Sequence, residues 1–223
     1  MKKKYLIGML CFFNGILLFP QSETWNSIGF EFGNLFQNIS HNGNETNIFM
    51  GSPGLNFYYY EFSNFRNIGF YTRQSILFRG IIKTDGNRDY DTIMHTSTVI
   101  GPGFRKKINE KTYLKFAFGM SYMLSSTVYN HNDSIDNTTS EHNLGVGGDV
   151  GIKYDIKDGT FVSMGLLTTY YFFNRTSVTR TSSSAYYGHD SYWTDRYSMV
   201  GIRPYLNIGF NYYRANVTNG KPK

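Results

Sequence analysis

Tyr113-Leu114-Lys115-Phe116-Ala117-Phe118-Gly119-Met120-Ser121-Tyr122-Met123-Leu124 alternates without a break. Leu114, Phe116, Phe118, Met120, Tyr122 and Leu124 are apolar, and Tyr113, Lys115, Ala117, Gly119, Ser121 and Met123 stand between them. Side chains of a strand alternate between its faces, so this stretch is a β-strand with one greasy face and one small or polar face. At roughly 3.3 Å per residue it is long enough to cross a bilayer when tilted.

The same pattern recurs on either side. Upstream, residues 25–36 set Ile28, Phe30 and Phe32 against Ser27, Gly29, Glu31 and Gly33. Residues 48–60 set Phe49, Pro53, Leu55, Phe57 and Tyr59 against Ser52, Gly54, Asn56 and Tyr58. A third strand sends Ile68, Phe70, Ile76 and Phe78 one way and Gly69, Tyr71, Arg73, Ser75 and Arg79 the other, and a fourth, 92–104, opposes Met94, Ile100 and Phe104 to His95, Ser97, Gly101, Gly103 and Arg105. Downstream, Leu144, Val146, Val150 and Ile152 oppose Gly145, Gly147, Asp149, Gly151 and Lys153. Val162, Met164, Leu166, Tyr170 and Phe172 oppose Ser163, Gly165, Thr169 and Tyr171. In the last strand Val200, Ile202, Pro204, Leu206, Ile208, Phe210 and Tyr212 oppose Arg203, Tyr205, Asn207, Gly209 and Asn211. Pro53, Pro102 and Pro204 each remove a ladder donor and are expected at bulges or strand ends.

These strands number eight, with long polar loops expected at 37–47, around 84–87, at 125–142 and at 174–195, and short turns near 63–66, 107–111 and 157–159. Lys157-Asp158-Gly159 is a tight-hairpin signal. Strict alternation of long loops and short turns is the topology of a transmembrane barrel with its long loops on one side. The fold class expected is therefore all-β, an eight-stranded antiparallel up-and-down transmembrane β-barrel whose lumen is filled by side chains. A soluble barrel of the same size would put its apolar face inside and a charged face in water. Here the polar face is mostly Gly, Ser, Asn and Tyr, which suits a narrow lumen, and the apolar face carries almost no charge, which suits lipid. The 19 Tyr, 19 Phe and 23 Gly fit aromatic girdles and small inward residues.

Residues 1–22 read as a signal peptide: Lys2, Lys3 and Lys4 form a cationic start, an apolar run follows to Phe19, and Pro20-Gln21-Ser22 offers a break. That run is shorter than the roughly 20 residues of a membrane helix. The barrel is assigned to 23–214 and a periplasmic tail to 215–223. The single cysteine, Cys11, lies within the signal, so no disulfide is expected in the mature chain. Without Lys2, Lys3 and Lys4, Lys+Arg falls from 22 to 19 against 16 Asp+Glu, and net charge from +6 to +3. Beyond the short cluster Arg105-Lys106-Lys107 no basic stripe remains, and no nucleic-acid partner is expected.

The inward positions collect charge: Glu31, Arg73, Arg79, Arg105, Lys115, Asp149, Lys153 and Arg203. Buried charges must pair or be hydrated. The bland role is an ionic plug that holds the barrel together; the sharper one is a narrow ion path, which six bases against two acids would bias toward anions. His95 and Ser97, two apart, resemble the His-x-Ser arrangement of outer-membrane lipid A deacylases, but both fall on the inward face and no acid follows in the same strand. No enzyme is expected. His131, His142 and His189, with Asp133, Asp136, Glu141 and Asp190, show no metal-ligand spacing, and neither metal nor cofactor is expected. In the segment 174–195, Tyr186, Tyr187, Tyr192 and Trp193 offer large contact area at low entropy cost and are the candidates for contact with a host or surface ligand.

The eight-strand plan and Gly101-Pro102-Gly103-Phe104-Arg105 resemble small outer-membrane barrels of the OmpX, OmpA and OmpW type. Gly51-Ser52-Pro53-Gly54-Leu55-Asn56 and the run from Phe62 to Gly69 resemble a treponemal family of unassigned function, which implies a spirochaete source. The final strand, through Asn207, Gly209, Phe210 and Tyr212, resembles the insertion signal read by the barrel-assembly machinery. It departs from the usual form because residues 214–223 follow it. The resemblance implies a monomer in outer-membrane lipid with its long loops outside the cell. Its expected role is structural or in surface interaction. A narrow channel for small hydrophobic or anionic solutes, as in OmpW-like proteins, is the alternative, and a lipid-modifying enzyme the third.

Overall fold

The computed structural model describes the backbone of residues 22–41, 44–63, 66–78, 81–83, 91–130, 135–157, 159–182, 186–192 and 197–214, and the side chains of 22–33, 51–63, 66–78, 95–126, 140–157, 159–175 and 198–213. In chain order the strands are β1 (Ser22–His41), β2 (Asn44–Ser63), β3 (Ile68–Phe78), β4 (Ile81–Lys83), β5 (Asp91–Lys107), β6 (Thr112–Asn130), β7 (Ile135–Lys157), β8 (Thr160–Ser182), β9 (Tyr186–Tyr192) and β10 (Tyr197–Arg214). The described residues contain no helix.

Each long strand pairs antiparallel with its sequence neighbour, and β1 pairs both β2 and β10. That double pairing closes the sheet. The short β4 lies against β2 and β9 against β8, so the wall is made of eight staves. Closure leaves the wall of eight staves without an edge strand, which is what hydrocarbon requires of a backbone that water cannot reach.

The faces follow the alternation. On β6, Phe116, Phe118 and Met120 are exposed while Lys115, Ala117 and Ser121 are buried. Phe30 on β1 is 73% exposed and Ile208 on β10 is 60%, whereas Glu31 and Asn207 beside them are buried. An apolar belt outside and polar side chains inside is a lipid-facing barrel, the reverse of a water-soluble one.

Two of the three prolines are absorbed by a simpler device than a bulge or a strand end. Pro102 pairs with Phe70 on β3, while the β5–β6 ladder lapses between Ile100↔Met120 and Gly103↔Ala117. Pro204 pairs with Leu166 on β8, while the β1–β10 ladder lapses between Glu31↔Tyr205 and Asn34↔Ile202. Pro53 pairs with Phe32 on β1, and on its other side the register shifts by one residue between Gly54↔Leu77 and Gly51↔Ile81, the bulge expected there. Pro102 and Pro204 each keep one neighbour and stand where the other ladder skips a step.

Three of the four expected long loops are instead largely strand. The β1–β2 ladder runs out to His41↔Asn44, the β6–β7 ladder to Asn130↔Asp136, and the β7–β8 ladder to Ile135↔Ser182, with β9 added beyond. Hydrophobic alternation marks only the part of a strand that touches lipid. Past the hydrocarbon the outer side chains can be polar while backbone pairing continues, so the pattern ends before the strand does. The segment expected at 84–87 lies outside the described residues, as do 1–21, 215–223, Arg79 and Trp193. Tyr186, Tyr187 and Tyr192 lie on β9.

The short turns show why they are short. Asn109 Oδ1 accepts from the backbone N–H groups of Lys111 (3.0 Å) and Thr112 (2.8 Å). Gly159 takes φ of 80°, the left-handed conformation a tight hairpin needs and a side chain resists. All three turns, with Ser22 and Arg214, lie at one end of the barrel, called here the turn end; the extended pairs form the hairpin end.

Candidate functional site

The lumen is a stack of three tiers set by strand position. At the turn end, Trp25 (β1), Tyr58, Tyr60 and Phe62 (β2), Tyr71 (β3) and Phe161 (β8) have no solvent exposure. Their rings interlock: Trp25 lies 4.8 Å from Phe62 and 5.4 Å from Tyr113, and Tyr60 lies 4.6 Å from Tyr71. Room for this tier is made by glycine. A Cβ on Gly209 would sit 2.3 Å from the Phe161 ring and 2.4 Å from the Asn26 carbonyl. Two ion pairs sit against the rings. Arg105 pairs with Glu23, and its guanidinium stands 4.5 Å from the centre of the Phe62 ring. Lys153 pairs with Asp155, and its ammonium stands 4.4 Å from the centre of the Trp25 ring. Cations over aromatic faces gain attraction without needing water.

The middle tier is ionic. Asp149 Oδ2 accepts from Tyr71 Oη at 2.7 Å and from Arg73 at 3.3 Å. Its Oδ1 accepts from Tyr205 Oη at 2.5 Å and lies 3.4 Å from Lys115 Nζ. Arg73 reaches Glu31 at 2.5 Å, and Lys115 stands 4.2 Å from the centre of the Tyr58 ring. Arg203 donates to Ser97 and, at 3.3 Å, to Tyr171 Oη, and lies 3.9 Å from the second oxygen of Glu31. Below these, Asn207 donates to Ser27 (2.9 Å) and Asn56 (2.6 Å). Charges with no solvent exposure persist because Asp149 is shared among four donors and Glu31 is bonded by Arg73.

The hairpin-side tier is polar and under-bonded. Ser52, Ser75, His95, Ser125, Asn143 and Thr169 are all buried, and their side-chain polar atoms have no hydrogen-bond partner among the described residues.

The structure brings Glu31, Arg73, Lys115, Asp149 and Arg203 into one cluster and sets Arg105 and Lys153 apart at the turn end. It also supplies partners the sequence reading missed. Glu23 stood before the predicted start of β1 and Asp155 beyond the last residue assigned inward on β7. With them, five bases face four acids in the lumen's ion pairs, and Glu141 lies on the same face farther toward the hairpin end, so the predicted six-to-two excess of positive charge is corrected to near balance. The aromatic tier was missed as well, although parity from Ser27 and Ser163 put Trp25 and Phe161 on the inner face. His95 and Ser97 do face inward, but Ser97 is held by Arg203 and neither ring nitrogen of His95 has a hydrogen-bond partner. Of the final-strand residues, Phe210 and Tyr212 face outward at 61% and 60% exposure, while Asn207 is buried.

No family model and no curated protein matches the sequence. Solved structures do match in three dimensions. A major outer-membrane protein of Thermus thermophilus superposes with a TM-score of 0.61 at 12% identity, covering 82% of this chain and 99% of that one. OprG of Pseudomonas aeruginosa gives 0.55 at 10% identity, covering 86% and 96%. Neisserial surface protein A gives 0.50 at 8% identity, covering 84% and 96%.

This chain has the fold of the small eight-stranded outer-membrane β-barrels. At such low identity the likeness to these barrels is one of fold.

Proposed function

We propose that this outer-membrane barrel has no through-channel and acts at the cell surface through its extended hairpins, as a structural or surface-interaction protein rather than an enzyme. The observation that carries the reading is the aromatic tier at the turn end, six rings without solvent exposure lying across the lumen. A solute would have to displace Trp25 and the ion pairs against it. The hairpins, by contrast, are paired far beyond the lipid-facing strands, which presents β9 and the ends of β6, β7 and β8 as an ordered surface. Paired backbone lowers the entropy lost when a partner binds. Tyr186, Tyr187 and Tyr192 belong to that segment. In this reading the hairpins face outside the cell, the final strand serves as the insertion signal, and the barrel works as a monomer.

Conductance tests the first half. The refolded barrel in a planar bilayer is expected to give no steps. Steps that change when Arg73 or Arg203 is substituted would overturn the closed reading in favour of a narrow channel. Proteolysis of intact cells tests the second half: cuts are expected within 125–142 and 174–195. Cuts at the short turns instead would invert the orientation.

A further inference from the structure

The lumen does not balance its charge evenly. At the turn end Glu23 offsets Arg105 and Asp155 offsets Lys153. In the middle tier, Glu31 and Asp149 face Arg73, Lys115 and Arg203. Asp149 is taken by Arg73, Lys115 and two tyrosines, and the near oxygen of Glu31 by Arg73 at 2.5 Å. Arg203 is left with the loosest ion contact, 3.9 Å, though its side chain has no solvent exposure. Its remaining partners, Ser97, Tyr171 and the Met123 sulfur at 3.8 Å, carry no charge, and its Nε has no partner.

The guanidinium of Arg203 reaches two strands that carry unused polar groups. Ser97 is the direct cross-strand neighbour of Ser75, and Met123 that of Asn143. Ser75, Ser97, Met123 and Asn143 therefore form one inward row across β3, β5, β6 and β7, with His95 one inward position beyond Ser97. Ser75, His95 and Asn143 are at least 98% buried, and each has side-chain polar atoms without a hydrogen-bond partner. The acid on this face by alternation, Glu141, sits one inward position beyond Asn143 and is only half-buried. A buried guanidinium with one excess charge, next to hydroxyl, amide and imidazole donors that bond nothing, is the donor set for a small anion.

We propose that Arg203, with Ser75, Ser97, His95 and Asn143, binds one small monovalent anion in the hairpin-side half of the lumen. The site belongs to the chemistry of a halide: one charge, no directional lone pairs, donors from several sides. It stands independently of whether the barrel conducts, since a blind pocket can hold an ion.

The experiment is thermal unfolding of the refolded barrel in sodium chloride, sodium bromide and sodium gluconate at equal ionic strength. Gluconate is too large for the row. A ligand that binds only the folded state raises the midpoint as its concentration passes its dissociation constant. Chloride and bromide are expected to raise the midpoint saturably and gluconate not to. Arg203→Gln is expected to abolish the difference and Asn143→Ala to weaken it, while Arg105→Gln at the other end leaves it intact. Crystals grown in bromide are expected to show an anomalous peak beside Arg203. Equal midpoints in all three salts for the unsubstituted barrel, or a halide effect that survives Arg203→Gln, would overturn the proposal. Should Arg203→Gln fail to fold, the salt comparison, Asn143→Ala and the bromide peak decide.

Discussion

The two halves of the lumen solve the same problem in opposite ways. At the turn end, Trp25, Tyr60, Phe62, Tyr71 and Phe161 fill the space with ring surface, and the cations there sit on ring faces with their carboxylates beside them. Toward the hairpin end, Ser52, Ser75, His95, Ser125, Asn143 and Thr169 are equally buried but bond nothing among the described residues. The Tyr60 hydroxyl is an exception at the turn end, unpartnered amid the rings. The contrast teaches that burial alone does not measure how much a side chain stabilises this barrel. A ring in a packed tier contributes its full area, whereas a polar group without a partner contributes little and can cost.

Substitution can break or sharpen this contrast. The largest loss is expected between the halves, at Asp149. Asp149→Ala strips both Arg73 and Lys115 of their shared carboxylate and leaves cations buried, for a loss of about 4 kcal/mol. Urea unfolding of the lipid-embedded barrel, read by gel mobility, measures it. Trp25→Ala empties the turn-end tier and is expected to cost about 3 kcal/mol. Gly209→Ala tests the same tier from the wall. Its methyl has no room beside Phe161 and Asn26, and about 2 kcal/mol of strain is expected. Ser125→Ala, in the under-bonded half, is expected to stay within about 0.5 kcal/mol of the parent, because it removes a hydroxyl that bonds nothing. If Ser125→Ala cost as much as Trp25→Ala, the hairpin half would be as tightly packed as the turn half and the contrast would fail.

Much of this was legible in the sequence. The period of two along β6 gave which residues face lipid, and every charged residue the alternation put inside that lies among the described residues is in the lumen. Strand ends were not legible, because alternation reports contact with lipid and falls silent where β6 and β7 run on into water as a polar ladder. Glu23 and Asp155 were missed at the turn end for the same reason, since each lies at the margin of an alternating run. The aromatic tier escaped for another: Trp25 and Phe161 on an otherwise Gly, Ser and Asn face look like irregularities until the opposite wall is known.

The sequence by itself determined that these strands have an oily and a polar side, and that the polar side carries charges needing partners. Both follow from local alternation and from the cost of burying an ion. Only the tertiary structure decided who those partners are. Arg73 meets Asp149, 76 residues away, and Lys115 meets Tyr205, 90 residues away, because closing the sheet sets distant strands face to face across a narrow lumen. Pairing across a lumen depends on closure and register, which no single strand encodes.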